Sequence, residues 1–251
     1  MSDRPILYEF PCNEKVRMYL RLEMLFRRFN WLAAADDPCA HHAALSALFE
    51  LTDATGRSDL KAELLQTLDR VKSLSGSKAV CRLGSADAVS ERASDIIASI
   101  NAVHGRFGQN IREHEWLQLI RARQNIPGGT GAFDMPLLHY WLNMAPEDRR
   151  RDLLEWTSTL TPICDAVDLI LSMIRADCIV EDYTASCGRL QLPTTGRNYQ
   201  LIRLWVDASL AFIPEVSVNK YMLWVRFSET DSKSRLHASK QSVSFRMGLC
   251  R

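Results

Sequence analysis

The sequence of 251 residues has no excess of charge: 31 Lys and Arg stand against 30 Asp and Glu, a formal net charge of +1. That total gives no pointer to a polyanionic partner or to an anionic membrane surface. Long apolar runs are missing too, and no stretch reaches the roughly 18 residues a membrane span needs. Only 11 Gly and 9 Pro occur, which excludes collagen-like and low-complexity designs. The seven Cys, at positions 12, 39, 81, 164, 178, 187 and 250, are odd in number and form no CxxC pair. Reduced, mostly packed thiols in a cytoplasmic protein are the expectation. The N-terminal MSDRPILYEFPCNEK lacks the basic start, apolar stretch and small-residue site of a signal peptide.

Recognisable catalytic motifs are equally scarce. GxxxxGK[ST], GxSxG, HExxH and the EF-hand loop are all absent. GGTG at 128–131 has no following Lys and reads as a turn cluster. His41 and His42 are adjacent, so on a helix they point about 100° apart and cannot share a metal. No Cys/His set has zinc spacing. The expectation is no catalytic residue, no metal and no cofactor.

What is present is an apolar content of 47%, enough for a sizeable core, laid out with clear periodicity. PILYEFP at 5–11 reads as a short strand bounded by Pro. Asn13 is a candidate N-cap, and Met18, Leu22, Leu25, Phe26, Phe29 and Leu32 then fall on one side of a helix. Helical patterns cover 40–53, 58–74, 86–104 and 109–124, with a loop at 75–85. NIPGGTGAFD at 125–134 breaks the pattern, and Asp134 is placed to cap PLLHYWLN. Pro146 opens another helix, and Pro162 precedes the apolar ICDAVDLILSMIRAD.

After about residue 178 the period changes to two. Ile202, Leu204 and Val206 alternate with Arg203; Tyr221, Leu223, Val225 and Phe227 oppose Arg226; Val243, Phe245, Met247 and Leu249 alternate with Ser242, Ser244 and Arg246. Alternation with one polar side predicts an antiparallel sheet wetted on one face. The fold class is therefore α+β: a mainly helical domain over 1–178 and an antiparallel β domain over 179–251. Segments 5–11 and 125–134 are candidates to pack onto the β domain.

Charge placement is the remaining signal. Arg17, Arg21 and Arg28 lie within about 40° of one another on the first long helix. Arg17 and Arg21 form a like-charge i,i+4 pair, unfavourable by roughly 0.2–0.5 kcal/mol on an isolated helix. Residues 220–251 carry Lys220, Arg226, Lys233, Arg235, Lys240, Arg246 and Arg251 against only Glu229 and Asp231. Both features fit an acidic partner. Both also fit local ion pairing, or basic residues that guard a sheet edge.

Several blocks, in order, resemble one family. They are LYEFPCNEKVRMYLRLEMLF (7–26), KAELLQTLDR (61–70), LIRARQNIPGG (119–129) and FDMPLLHYWLNM (133–144), with VRF (225–227) and VSF (243–245) matching more loosely. The set resembles the ZapD family of bacterial cell-division proteins. The resemblance implies a non-enzymatic cytoplasmic homodimer at the mid-cell division site. It implies binding to the C-terminal tail of FtsZ, the tubulin-like division GTPase, bundling of its protofilaments and support of Z-ring assembly, with no nucleic-acid or membrane partner. By position it assigns tail binding to Arg17, Arg21, Arg57, Arg121, Arg123, His139 and Arg226. Met222 stands where relatives can carry a second basic residue, for which Lys220 is a substitute, and Glu115 stands where a relative can have Arg. A nucleic-acid-binding module and an enzyme with an unrecognised site are the competing readings.

Overall fold

Asn13 separates the first strand from the first helix. Its side-chain oxygen accepts the Val16 backbone N–H at 2.9 Å, and its amide donates to the Gln200 side chain at 2.7 Å. An N-cap of this kind satisfies a donor that the helix start would leave open. The protein is described by a computed structural model over residues 5–73, 78–231 and 235–251. Strand β1 (Ile6–Pro11) leads into α1 (Glu14–Ala34), α2 (Pro38–Ala54), α3 (Leu60–Ser73), α4 (Lys78–Leu83), α5 (Ala86–Ala102), α6 (Gln109–Glu113), α7 (Glu115–Gln124), α8 (Pro136–Leu142), α9 (Pro146–Thr157) and α10 (Thr161–Ala176). Strands β2 (Cys178–Ala185), β3 (Arg189–Pro193), β4 (Leu201–Val206), β5 (Ile213–Val218), β6 (Met222–Thr230), β7 (Leu236–Ala238) and β8 (Val243–Cys250) follow. Helices first and antiparallel strands afterwards make this an α+β fold.

The chain forms two compact units. One contains Met1–Met18, Ser77–Leu83 and Leu171–Arg251; the other contains Tyr19–Gly76 and Gly84–Ile170. Two of the unit boundaries thus fall inside helices, in α1 and α10. Segment 5–11 groups with the strands, whereas 125–134 groups with the helices.

In the strand unit, β1-β4-β8-β2 form one antiparallel sheet and β3-β6-β5 a second, with β7 added on β6. The inward residues Ile202, Leu204, Val243, Phe245 and Met247 of the first sheet share one core with Leu223, Val225 and Phe227 of the second. The alternation at 202–206, 223–227 and 243–249 therefore marks inner faces of two sheets, where one sheet was expected. Tyr221 departs from it: it is 72% exposed, because it lies in the turn before β6, where Asn219 Oδ1 accepts the N–H groups of Tyr221 and Met222.

In the helical unit, Leu22, Phe29, Leu45, Leu48, Leu51, Leu60, Leu64, Leu68, Ile100 and Ile111 are fully buried. Asp37 caps α2 through the Ala40 N–H at 2.8 Å. Three local expectations need correction. The stretch 109–124 is two helices, because His114 leaves the helical region at ψ 101° and caps α7 from its own ring nitrogen. Residues 78–83, expected in a loop, form α4. Met135, not Asp134, is the N-cap of α8, with no side-chain cap bond and Pro136 as the first helical residue. Of the described cysteines, Cys178 and Cys250 are buried, while Cys39 and Cys187 are exposed.

Candidate functional site

The residues assigned to tail binding divide between the units. Arg17, Lys220 and Arg226 belong to the strand unit; Arg21, Arg57, Arg121, Arg123 and His139 belong to the helical unit.

Arg226 sits on β6 with its side chain on the solvent face of the second sheet. The register sets Arg189 of β3 directly opposite on one side and Glu215 of β5 on the other. Two arginines in one cross-strand pair repel, and Glu215 offsets only part of that charge. One pleat repeat along, Trp224 lies between Gln191 and Ser217 on the same face. Glu215, Val216, Ser217, Trp224 and Arg226 line a shallow groove of about 350 Å³. The juxtaposition supplies fixed positive charge and an aromatic surface beside it. Arg189 carries no periodic or motif signal of its own, so only the register between β3 and β6 reveals it. Lys220 occupies the β5–β6 hairpin tip, with Nζ 5.8 Å from the Tyr221 ring centroid. Met222 faces outward opposite Pro193, so this end of the face has no strand cation.

The outer face of the first sheet holds a different basic group. Glu9 receives Arg175 through two hydrogen bonds, at 2.9 and 2.6 Å. It also accepts the Arg203 Nε at 2.9 Å. Arg203 and Arg246 then lie over the Trp205 ring at 5.0 and 5.6 Å from its centroid. Gly248 makes room for this stack, since a Cβ there would come within 2.6 Å of Cys178 Sγ and 3.2 Å of the Trp205 ring. Arg203 is thereby consumed by structure.

In the helical unit, two of the assigned arginines already hold carboxylates. Arg57 pairs with Asp59 in a two-bond fork, at 3.1 and 2.7 Å, on the surface, and Asp59 holds the Arg57 guanidinium above its ordinary pKa through the hydrogen bonds. Arg121 reaches Asp53 at 2.6 Å. Arg112, which sequence reasoning overlooked, donates to the carbonyls of Phe107 and Thr52. Through Thr52 it meets a carbonyl in the last turn of α2, where a cation is favoured, and Gly56 leaves the space for it. Arg123 is half-buried on α7. His139 is exposed on α8 beside exposed Leu137 and Tyr140.

On α1, Arg17 pairs with Glu14 at 3.1 Å and Arg28 with Glu50 of α2 at 2.5 Å. Arg21 is exposed. Among the described residues no carboxylate lies within ion-pair distance of Arg21, Lys220 or Arg226. No group of three or more His, Cys, Asp or Glu among the described residues converges as a metal site. No single helix among them is long and apolar enough to cross a membrane.

Comparison with known proteins adds to this geometry. Residues 20–226 match the family model ZapD, described as a cell division protein. The cell division protein ZapD of Ralstonia pickettii is 41% identical over 98% of this chain and 99% of its own length. The proteins of the same name from Ralstonia nicotianae and a Janthinobacterium species are each 40% identical over the same shares. Similarity of this extent, running through both units, means that the chain belongs to the ZapD family of cell division proteins.

Proposed function

We propose that this protein acts in cell division by binding the acidic and apolar C-terminal tail of FtsZ and, as a homodimer, cross-linking FtsZ protofilaments in the cytoplasm at mid-cell. The observation that carries the reading is that three of the assigned cations, Arg21, Lys220 and Arg226, are exposed and have no carboxylate of their own among the described residues, in a chain whose net charge is only +1. Cations left open in this way accept carboxylates directionally, and arginine can do so with two bonds. Trp224 beside Arg226 offers the apolar contact that anchoring needs.

One site per protomer cannot join two filaments. A two-fold dimer presents the same site twice, and a filament that displays many tails converts weak single contacts into avid binding. The tail orders on binding, so each single contact is of modest affinity. No catalytic step is required, and the protein serves Z-ring assembly by cross-linking alone.

Co-sedimentation with polymerised FtsZ tests the reading. The protein is expected to pellet with full-length filaments and to cross-link them into bundles, and to lose both behaviours when FtsZ lacks its C-terminal tail. Undiminished pelleting with tail-less filaments overturns tail binding. A monomer in sedimentation equilibrium that still bundles filaments overturns the cross-linking scheme.

A further inference from the structure

Strand β2 lies at the edge of the first sheet, with β8 as its neighbour. The register sets Cys178, the first residue of β2, directly opposite Cys250, the last of β8. Directly opposite residues project from the same face of a sheet, and both cysteines are buried. Their carbonyls point away from each other. That of Cys178 accepts Arg82 Nη1 at 3.1 Å, and that of Cys250 accepts the Gln200 N–H at 2.9 Å. The two therefore occupy a non-hydrogen-bonded pair, the closer kind in an antiparallel ladder, with a typical Cα separation of about 4.5 Å. A disulfide spans Cα separations of roughly 4.4–6.8 Å, so the backbone already has the spacing of a bridge. Gly248 leaves the Cys178 sulfur room to turn, since a Cβ there would stand 2.6 Å from Sγ.

We propose that Cys178 and Cys250 form a peroxide-responsive dithiol, closed by a hydroperoxide into a cross-strand disulfide and reopened by a small dithiol reductant. The two thiols are hydrogen-bonded to each other. That bond holds the Cys178 thiol below its ordinary range against burial, and the Arg203 and Arg82 guanidiniums act in the same sense. Thiolate is the form that reacts. By contrast, burial pushes the Cys12 and Cys164 thiols up to about 12, which keeps them protonated. Cys178 retains 5% of its surface in water and opens an edge strand, where local fraying admits a small oxidant. The Cys178 thiolate attacks one peroxide oxygen, the O–O bond breaks, hydroxide leaves, and Cys178 becomes a sulfenic acid. The Cys250 sulfur then attacks the Cys178 sulfur; the S–S bond forms, the S–O bond breaks, and its oxygen departs as water with the Cys250 proton. In sum, two thiols lose two electrons and one hydrogen peroxide becomes two waters. The bridge pins the start of β2 onto β8. The inference stands apart from tail binding and needs no partner protein.

The experiment uses the full reduced chain, as wild type and with the exposed thiols silenced by Cys39→Ser and Cys187→Ser. Each is treated with a slight excess of hydrogen peroxide, alkylated in denaturant and digested without reduction. A peptide linking Cys178 to Cys250 is expected in both, with the loss of two hydrogens in intact mass and full reversal by dithiothreitol. The bridged protein is expected to melt at least about 4 °C higher than the reduced one, and amide exchange at the start of β2 is expected to slow. In Cys250→Ser a dimedone probe is expected to trap a sulfenic acid on Cys178. The wild-type mapping needs no substitution, so a variant that fails to fold does not remove the test. Recovery of Cys178 and Cys250 as free thiols after peroxide, or a disulfide mapped only to other cysteines, overturns the proposal. A Cys178–Cys250 link that leaves melting temperature and β2 exchange unchanged overturns the pinning of β2.

Discussion

His41 Nδ1 accepts a hydrogen bond at 2.8 Å from Nε of Arg149, and both residues are buried. The arginine has no carboxylate in this contact set. Its remaining donors go to the carbonyls of Leu142, Met144 and Asp36. With Nδ1 used as acceptor, the His41 proton resides on Nε2 and faces the Ala33 carbonyl at 3.2 Å. Neutral imidazole is the only form that fits, and burial, with Arg149 and Arg150 nearby, pushes the His41 pKa below its ordinary 6.5.

That arrangement fixes a pH dependence. The unfolded chain binds a proton at His41 near pH 6.5 and the folded chain resists it, so His41 contributes fully above pH 6.5. The contribution falls as pH drops below that value toward the lowered folded pKa. The expected slope is up to about 1.4 kcal/mol per pH unit. His42, also lowered by burial, adds in the same direction. Melting temperature measured from pH 7.5 to 5 in the wild type and in His41→Gln checks this: the variant should start lower and depend less on pH. Parallel curves would remove His41 from the account.

Arg149 ties the end of α8 to the segment between α1 and α2. Arg149→Leu leaves the buried His41 nitrogen and three part-buried carbonyls without their donor, and a loss of about 3 kcal/mol is expected. For a chain of this size that is a fall on the order of 10 °C in melting temperature. Arg149→Lys keeps the charge without the planar fork and should fall between the two. A Lys variant as stable as wild type would show that charge alone suffices.

Arg189 and Arg226 lie opposite one another across β3 and β6, so stability and binding should move apart. Arg189→Glu is expected to raise thermal stability slightly, by roughly 0.2–1 kcal/mol through the new opposite-charge pair, and to weaken FtsZ-tail binding. Arg226→Glu should weaken the tail equally. Calorimetry and peptide titration on the same samples separate the two effects, and an Arg189→Glu variant with unaltered tail affinity would take β3 out of the interface.

Salt should reduce bundling. The open cations are on the surface, where screening acts within about 8 Å at physiological ionic strength. Light scattering of FtsZ with this protein is expected to drop steadily as salt rises from low to several-fold physiological concentration. Constant scattering would contradict a basic site.

Gly248 is a packing requirement of the Trp205 stack. Gly248→Ala should cost about 1–3 kcal/mol and alter tryptophan emission, because the added methyl meets Cys178 Sγ and the indole. Unchanged stability and emission would show that the stack yields freely.

Part of this protein was legible from local pattern. The α1 stripe, the Asn13 cap and the inward positions of β4, β6 and β8 follow from periods of 3.6 and 2, which are properties of the backbone and need no partner. The family's ordered blocks placed the candidate cations in the chain. The helix break at His114 was hidden, since a polar residue in a helical pattern gives no warning that its ring will cap the next helix.

What only the tertiary structure decided is which charges remain open. Arg17, Arg28, Arg57, Arg121 and Arg203 look alike with Arg21 and Arg226 in the sequence, yet the first group is paired with Glu14, Glu50, Asp59, Asp53 and Glu9. Arg189 joins Arg226 only through strand register. Sequence by itself determined the two kinds of secondary structure and the faces they bury. Pairing of charges depends on separations of a few ångströms between segments up to 194 residues apart, and such distances exist only once the chain has folded.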